Sequence, residues 1–167
     1  CKNSCFNIGC CFFNGDILDL CVDSKGNIYA AGFFTDSNNR CYVAKWNGST
    51  WISLGGVNTP FDSWIHTICI DRDDNVYAGG VFTNANGFNY IAKWNGLNWS
   101  ELGVINSAQF TGVIADICSD KNGDIYAAGG FTNYIGKYYI AKWNGMNWSE
   151  LGGPNSSYFN SNTSCVL

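Results

Sequence analysis

The stretch YIAKWNGLNWSELG at residues 90–103 returns at 139–152 with one change, Leu97 to Met146, and a weaker copy, YVAKWNGSTWISLG, stands at 42–55. Repetition therefore organises this chain. Aligning the copies sets Thr35, Thr83 and Thr132 in register, 48 and then 49 residues apart. The same register aligns Ile17, Ile65 and Ile114, then Cys21, Cys69 and Cys118, then Asp23, Asp71 and Asp120, then Tyr29, Tyr77 and Tyr126, then Gly32, Gly80 and Gly129. A period of this length, rich in β-branched and aromatic residues and punctuated by Gly and Asn, is the signature of a four-stranded propeller blade. A helical repeat would instead carry an apolar stripe every 3.6 residues or so.

Each copy divides into four short strands, A to D. In the second copy IHTICID is strand A and NVYAGGVFT strand B, joined by an Asp-rich turn; YIAKW is strand C and WSEL strand D, joined across Asn-Gly. Asn-Gly predicts a type I′ hairpin, with both residues at positive φ. Paired glycines in strand B predict a bulge or the close approach of a neighbouring backbone. The expected fold class is all-β, with blades at 14–61, 62–110 and 111–158. A Cys-rich segment, 1–13, ends a partial blade, and 159–167 begins a further one or an exchanged strand. Phe13, Phe61, Phe110 and Phe159 stand in register before successive A strands.

A blade cannot bury both faces alone, so similar units are stacked until each covers the next. Propellers close with roughly four to eight blades, and three are present. Three readings stay open: a module of a longer propeller, closure with a second copy into six blades, or exchange of terminal strands head to tail into rings or filaments.

Composition narrows the role. Hydrophobic residues make up 46% and aromatic residues 16%, enough for a core, while charged residues make up only 13% with net charge -4. That leaves no basic surface for nucleic acid, and no apolar run is long enough to span a membrane. Nine cysteines without histidine partners fit an oxidising compartment better than a zinc site. Cys21, Cys69 and Cys118 fall on strand A, where a small apolar side chain is wanted, and are expected to be buried and free. Cys1, Cys5, Cys10, Cys11, Cys41 and Cys165 are the candidates for disulfides, with the pairing open. Sequons at Asn47, Asn98, Asn147, Asn155 and Asn162 point to N-linked glycans and an extracellular location, at a cell or virion surface. Every blade offers one near its C–D turn.

IYAAGGFTN followed by YIAKWNGMNWSELGG resembles the GG-x-FT and IAKWNG-xx-WS-x-LG repeats of secreted or surface propellers, kelch-like or galactose-oxidase-like in blade architecture, fungal cortical-marker proteins included. The resemblance covers roughly residues 14 to 153. It implies an extracellular propeller with scaffolding or adhesive duties and no catalysis in the repeat. The copper ligands of galactose oxidase have no counterpart pattern here.

Candidate chemistry is sparse. Asp120, Asn122 and Asp124 match the first half of a calcium loop, but no acidic residue follows at the usual distance, and an Asp-capped turn explains them. His66 is the sole histidine and lacks an identifiable nucleophile. Asp19 and Asp116 could flank a glycosidic bond, yet the second blade has Thr67 at that place. No enzyme activity, cofactor or metal is expected. Aromatic rings stack on sugar faces, so Trp46, Trp94 and Trp143, with Trp51, Trp99 and Trp148, are either inter-blade packing or repeated sugar sites. The reading is thus a glycosylated, disulfide-stapled structural repeat protein that assembles with copies of itself, with a propeller lectin or adhesion module as the alternative.

Overall fold

A computed structural model describes residues 13–56, 59–103, 110–152 and 159. Their strands form three four-stranded antiparallel sheets, ordered β1-β2-β3-β4, β5-β6-β7-β8 and β9-β10-β11-β12. In the first, β1 is Ile17–Val22, β2 Ile28–Gly32, β3 Val43–Trp46 and β4 Trp51–Leu54. In the second, β5 is Ile65–Ile70, β6 Val76–Gly80, β7 Ala92–Trp94 and β8 Trp99–Glu101. In the third, β9 is Ile114–Ser119, β10 Ile125–Gly129, β11 Ala141–Trp143 and β12 Trp148–Glu150. Each sheet is one repeat, so the described residues form a series of three propeller-like blades.

The blades meet through their A strands: β5 packs on β1 and β2, and β9 packs on β5 and β6. Alternation along each strand sends one set of side chains back to the preceding blade and the other forward to the next. Ile65, Ile68 and Val76 of the second blade, and Ile114, Ile117 and Ile125 of the third, are buried in these seams. Tyr29, Val43 and Leu54 meet them from the first blade, and Tyr77, Ile91 and Leu102 from the second. Polar groups latch the same seams. The Ile68 amide donates to Asp19 Oδ2 at 2.7 Å, and the Ile117 amide to Thr67 Oγ1 at 3.2 Å. One sequence position, acidic in one blade and hydroxyl in the next, thus performs one task.

Strand B is shorter than its sequence pattern suggests, ending at Gly32, Gly80 and Gly129 in the three blades. A Cβ on Gly80 would stand 2.2 Å from the Trp64 carbonyl oxygen, and on Gly32 and Gly129 it would meet Asp16 and Val113 equally closely. The incoming chain crosses there, β5 bulges between Ile65 and Thr67, and Val81 donates its amide to Trp64 O at 3.0 Å. Gly79 serves the other purpose expected of the pair, since Ile114 of the next blade packs where its Cβ would be.

The C–D turns depart from the type I′ expectation. Gly48, Gly96 and Gly145 have φ near +95°, at 97°, 97° and 94°, but the preceding asparagines do not adopt positive φ. Asn95 instead uses its side chain, Oδ1 accepting the amides of Leu97 at 2.9 Å and Asn98 at 2.8 Å. Asn is selected here as an acceptor, making an Asx-type loop of Asn95 to Asn98. Phe110 stitches blades together. Its carbonyl accepts from Asn89 N at 3.1 Å, while its ring packs 4.7 Å from Phe131 and 5.2 Å from Trp148.

Gly80→Ala tests the crossing. Because the obstructing atoms are backbone, the added methyl should destabilise the fold by about 1–3 kcal/mol or more, read as a lowered urea midpoint. Wild-type stability in this variant would show that the crossing is loose.

Candidate functional site at the first blade seam

The A–B turns are built around one carboxylate each. Asp23 Oδ1 accepts the amides of Lys25 at 3.0 Å and Asn27 at 2.9 Å, while Oδ2 accepts Asn27 Nδ2 at 2.7 Å and Tyr29 Oη–H at 3.0 Å. Asp71 repeats the pattern with Asp73, Asn75 and Tyr77, and Asp120 with Asn122, Asp124 and Tyr126. The ammonium of Lys45 stands 5.0 Å from the Tyr29 ring centroid; Lys93 and Lys142 lie over Tyr77 and Tyr126 at 5.3 and 5.4 Å. An Asp–Tyr–Lys stack therefore recurs in every blade.

This geometry favours the turn reading over a calcium loop. The Asp120 oxygens are engaged by their own hairpin, and Asp124 pairs with Lys142 Nζ at 2.7 Å. Among the described residues no group of three or more His, Cys, Asp or Glu is placed to hold a metal ion.

Beside the first stack a cleft of about 490 Å³ opens in the seam. Blade one contributes Asp23, Tyr29 and Lys45, and blade two contributes Asp74, Trp94 and Asn95. Asp74 is the unusual member. It holds φ at 62° where the equivalent turns have Gly26 and Gly123, a conformation Asp tolerates better than most residues. Its carboxylate crosses the seam to accept Ser24 N at 2.9 Å and Ser24 Oγ at 2.7 Å. Trp94 forms the half-buried apolar wall, its ring 5.5 Å from that of Trp99. The cleft thus offers an aromatic surface, a cation, and carboxylate and amide groups.

The six repeat tryptophans divide by position. Trp99 Nε1 donates to Leu54 O at 3.0 Å and Trp148 Nε1 to Leu102 O at 3.3 Å, clamping each seam, while Trp51 packs 5.2 Å from Phe13. Trp46, Trp94 and Trp143 end the C strands, against Trp51, Trp99 and Trp148 respectively. Among them Trp94 lines the cleft.

The remaining sequence candidates fall elsewhere. Asn47, Asn98 and Asn147 are exposed in the C–D turns, while Asn155 and Asn162 lie outside the described residues. So do Cys1, Cys5, Cys10, Cys11 and Cys165. Cys41 is buried and makes no disulfide among the described residues. Cys21, Cys69 and Cys118 are free; Cys69 is buried and the other two are half-buried. Burial, with Asp19 and Asp23 nearby, pushes the Cys21 thiol up to about 12, so it stays protonated and unreactive at neutral pH. His66 sits at the β5 bulge, 5.8 Å from the Phe33 ring, and burial lowers its pKa. Asp19 and Asp116 contact the next and preceding A strands respectively rather than facing each other across a cleft.

Sequence reasoning missed Lys45, Asp74 and Trp64. The lysine was visible in the repeated AKWNG, in register with Asp and Tyr. Asp74 carried only the faint signal of an acidic residue where sister turns have glycine, and Trp64, half exposed at 50% and 4.6 Å from Phe33, lies outside the repeat pattern.

No protein-family model and no curated protein matches the chain. Solved structures do. A fucose lectin from Kordia zhangzhouensis in complex with methyl-fucoside superposes with a TM-score of 0.53 at 17% identity, over 83% of this chain and 98% of that one. A gluconolactonase from Xanthomonas campestris gives 0.50 at 13% identity, over 78% of this chain but only 44% of its own length. Both likenesses speak to fold: this is a propeller-like repeat, and no kelch family membership follows.

The A–B carboxylates make stability depend on pH. Burial alone would raise the Asp23 pKa, but bonds from Asn27, Tyr29 and Lys25 outweigh it and hold it down to about 2. An unfolded Asp titrates near ~3.9. Its contribution is therefore full above that value and lost as pH falls toward 2. Asp71 and Asp120 are lowered for the same reason. Urea midpoints should decline from about pH 4 downward, and Asp23→Asn should flatten that slope; an unchanged slope would sink the assignment.

Proposed function

We propose that the chain is an extracellular carbohydrate-binding propeller module. The observation that carries this reading is the blade-one to blade-two cleft, where Trp94 presents an aromatic wall beside Lys45, Asp74 and Asn95. A pyranose has apolar C–H faces edged by hydroxyls. An aromatic plane flanked by donors and acceptors fits that pattern, whereas catalysis would need an acid or base poised on a reacting bond. Asp23 is committed to its turn by four hydrogen bonds, and the one histidine lies at the β5 bulge outside this cleft. The fucose lectin shares the blade architecture and binds a sugar, which supports the reading without fixing the sugar.

Glycan-array screening followed by calorimetry tests it. Saturable binding is expected, weakened about tenfold or more by Trp94→Ala, as loss of roughly 1.4 kcal/mol of contact implies, and unaffected by Leu97→Ala at the exposed turn tip. Absence of binding by folded protein would remove the proposal.

Export, disulfide stapling and glycosylation belong to the same proposal. Asn47, Asn98 and Asn147 are exposed at one equivalent turn per blade, where an oligosaccharide meets no packed neighbour. Intact mass before and after enzymatic deglycosylation should fall by whole glycans at these sites; an unchanged mass for material from its natural source would refute it. A self-assembling structural role is the second reading, favoured by one observation among the described residues: Ile17 and Leu20 of the first blade and Leu151 of the third are exposed apolar side chains.

A further inference from the structure

The charged groups around the first-seam cleft are not equally available to a ligand. Four protein donors converge on the Asp23 carboxylate. Asp74 spends both oxygens across the seam, Oδ1 on the Ser24 amide at 2.9 Å and Oδ2 on the Ser24 hydroxyl at 2.7 Å. The negative charge of the cleft is thereby engaged, and its positive charge is not. Lys45 reaches in from β3 with its side chain 25% exposed, and its ion-pair partner, Asp23 Oδ2, stands 3.8 Å away, longer than a hydrogen bond. The ammonium carries three donors, and that separation leaves them open to an incoming acceptor. Lys25 lines the same cleft from the exposed tip of the β1–β2 turn.

The other blades show how this differs from the repeat pattern. Lys142, at the same position of the third blade, is satisfied within its own sheet by Asp124 at 2.7 Å. In the first blade the place of Asp124 is held by Asn27, whose side-chain amide is turned to Asp23. At the second seam Asp73 stands where the first has Lys25, and it pairs with Arg72 Nε at 3.7 Å. Ser100 stands there in place of Ile52. Ile52 is the cross-strand partner of Lys45 and so shares its face. It is 44% exposed and lines the cleft together with Trp94 of the second blade. An aliphatic wall, an aromatic wall and two ammonium groups thus come together at the first seam.

We infer that this cleft takes an anionic saccharide, a pyranoside carrying a carboxylate or a sulfate, with its C–H face against Trp94 and Ile52 and its charged group at Lys45 and Lys25. The inference rests on the reading of the cleft as a sugar site and adds the class of sugar. A neutral sugar laid over Lys45 strips water from the ammonium and returns only hydroxyl acceptors. An anionic oxygen returns a charge-assisted bond, roughly twice as strong. The two carboxylates of the cleft do not cancel this advantage, because their oxygens already face protein donors on the turn and across the seam. Nor does the net charge of -4 on the whole chain. In physiological salt, charges more than about 8 Å away are largely screened, so the groups that touch the ligand decide.

A glycan array carrying neutral, uronate-, sialate- and sulfate-bearing sugars tests this, followed by calorimetry of the best-bound sugar against its carboxyl-reduced or desulfated counterpart. The anionic form should bind about tenfold or more tighter, and raising NaCl from about 50 to about 500 mM should weaken it selectively. The array classes separate carboxylate from sulfate. Lys45→Met should abolish the preference for the anionic form. Lys25→Glu, at an exposed turn tip, should reduce it as well and keeps the test if Lys45→Met fails to fold; Lys137→Met, exposed in the third blade, should leave it unchanged. Equal binding of anionic and neutral sugars, lost in Trp94→Ala, would overturn the inference and leave the sugar-binding reading intact. A preference for anions that survives both lysine substitutions would overturn it too. Binding of no sugar by folded protein would remove the inference together with the reading it rests on.

Discussion

Everything in this molecule depends on the seam between blades. A four-stranded sheet with apolar side chains on both faces has no stable existence in water, and burial of those faces is the largest favourable term available to it. The chain answers by placing isoleucine at matching positions of successive A strands and a small residue opposite. Directional bonds then fix what burial alone would leave free to slide. Main-chain amides of Ile68 and Ile117 reach into the preceding blade, and indole N–H groups of Trp99 and Trp148 do so farther out. Apolar contact gives adhesion, and the latches give register.

Rigidity of the turns follows from the same need. The A–B hairpin carries its carboxylate at the edge of the seam, where a loose loop would disturb both blades. Four donors converge on Asp23, and the lysine lying over Tyr29 adds a cation above the same stack. Burial of Tyr29 and its bond to the carboxylate push the phenol pKa well above its ordinary value, so it remains a donor across the physiological range. The cleft bordered by such groups is preformed, its walls fixed by the turn's own hydrogen bonds.

Much of this was legible in the sequence, for a specific reason: repetition turns one ambiguous pattern into three concordant ones. Strand positions, the A–B turns and the glycine crossing were readable because each recurs at fixed spacing. The C–D turn was misread because Asn-Gly supports two loops, one using the backbone freedom of Asn95 and the other its side-chain oxygen, and composition does not separate them. The cleft was unreadable for a different reason. Lys45, Asp74 and Trp94 come from two blades, and their meeting depends on how far one sheet is rotated over the next, a quantity no single repeat encodes.

That distinction explains where the chain has varied. The AKWNG pentamer is constant in all three blades, whereas the A–B turn tips read SKG, RDD and KNG. Across the first seam Ser24 meets Asp74; across the second Arg72 Nη1 donates to the Lys121 carbonyl at 3.2 Å. Strand residues must satisfy neighbours on both sides, so a change in one blade demands changes in two. Turn tips answer only to solvent and to the neighbouring tips across their seams. A constant platform with variable rims can therefore give seams of one shape and different polarity, and the left-handed Asp74 sets the rim of the first.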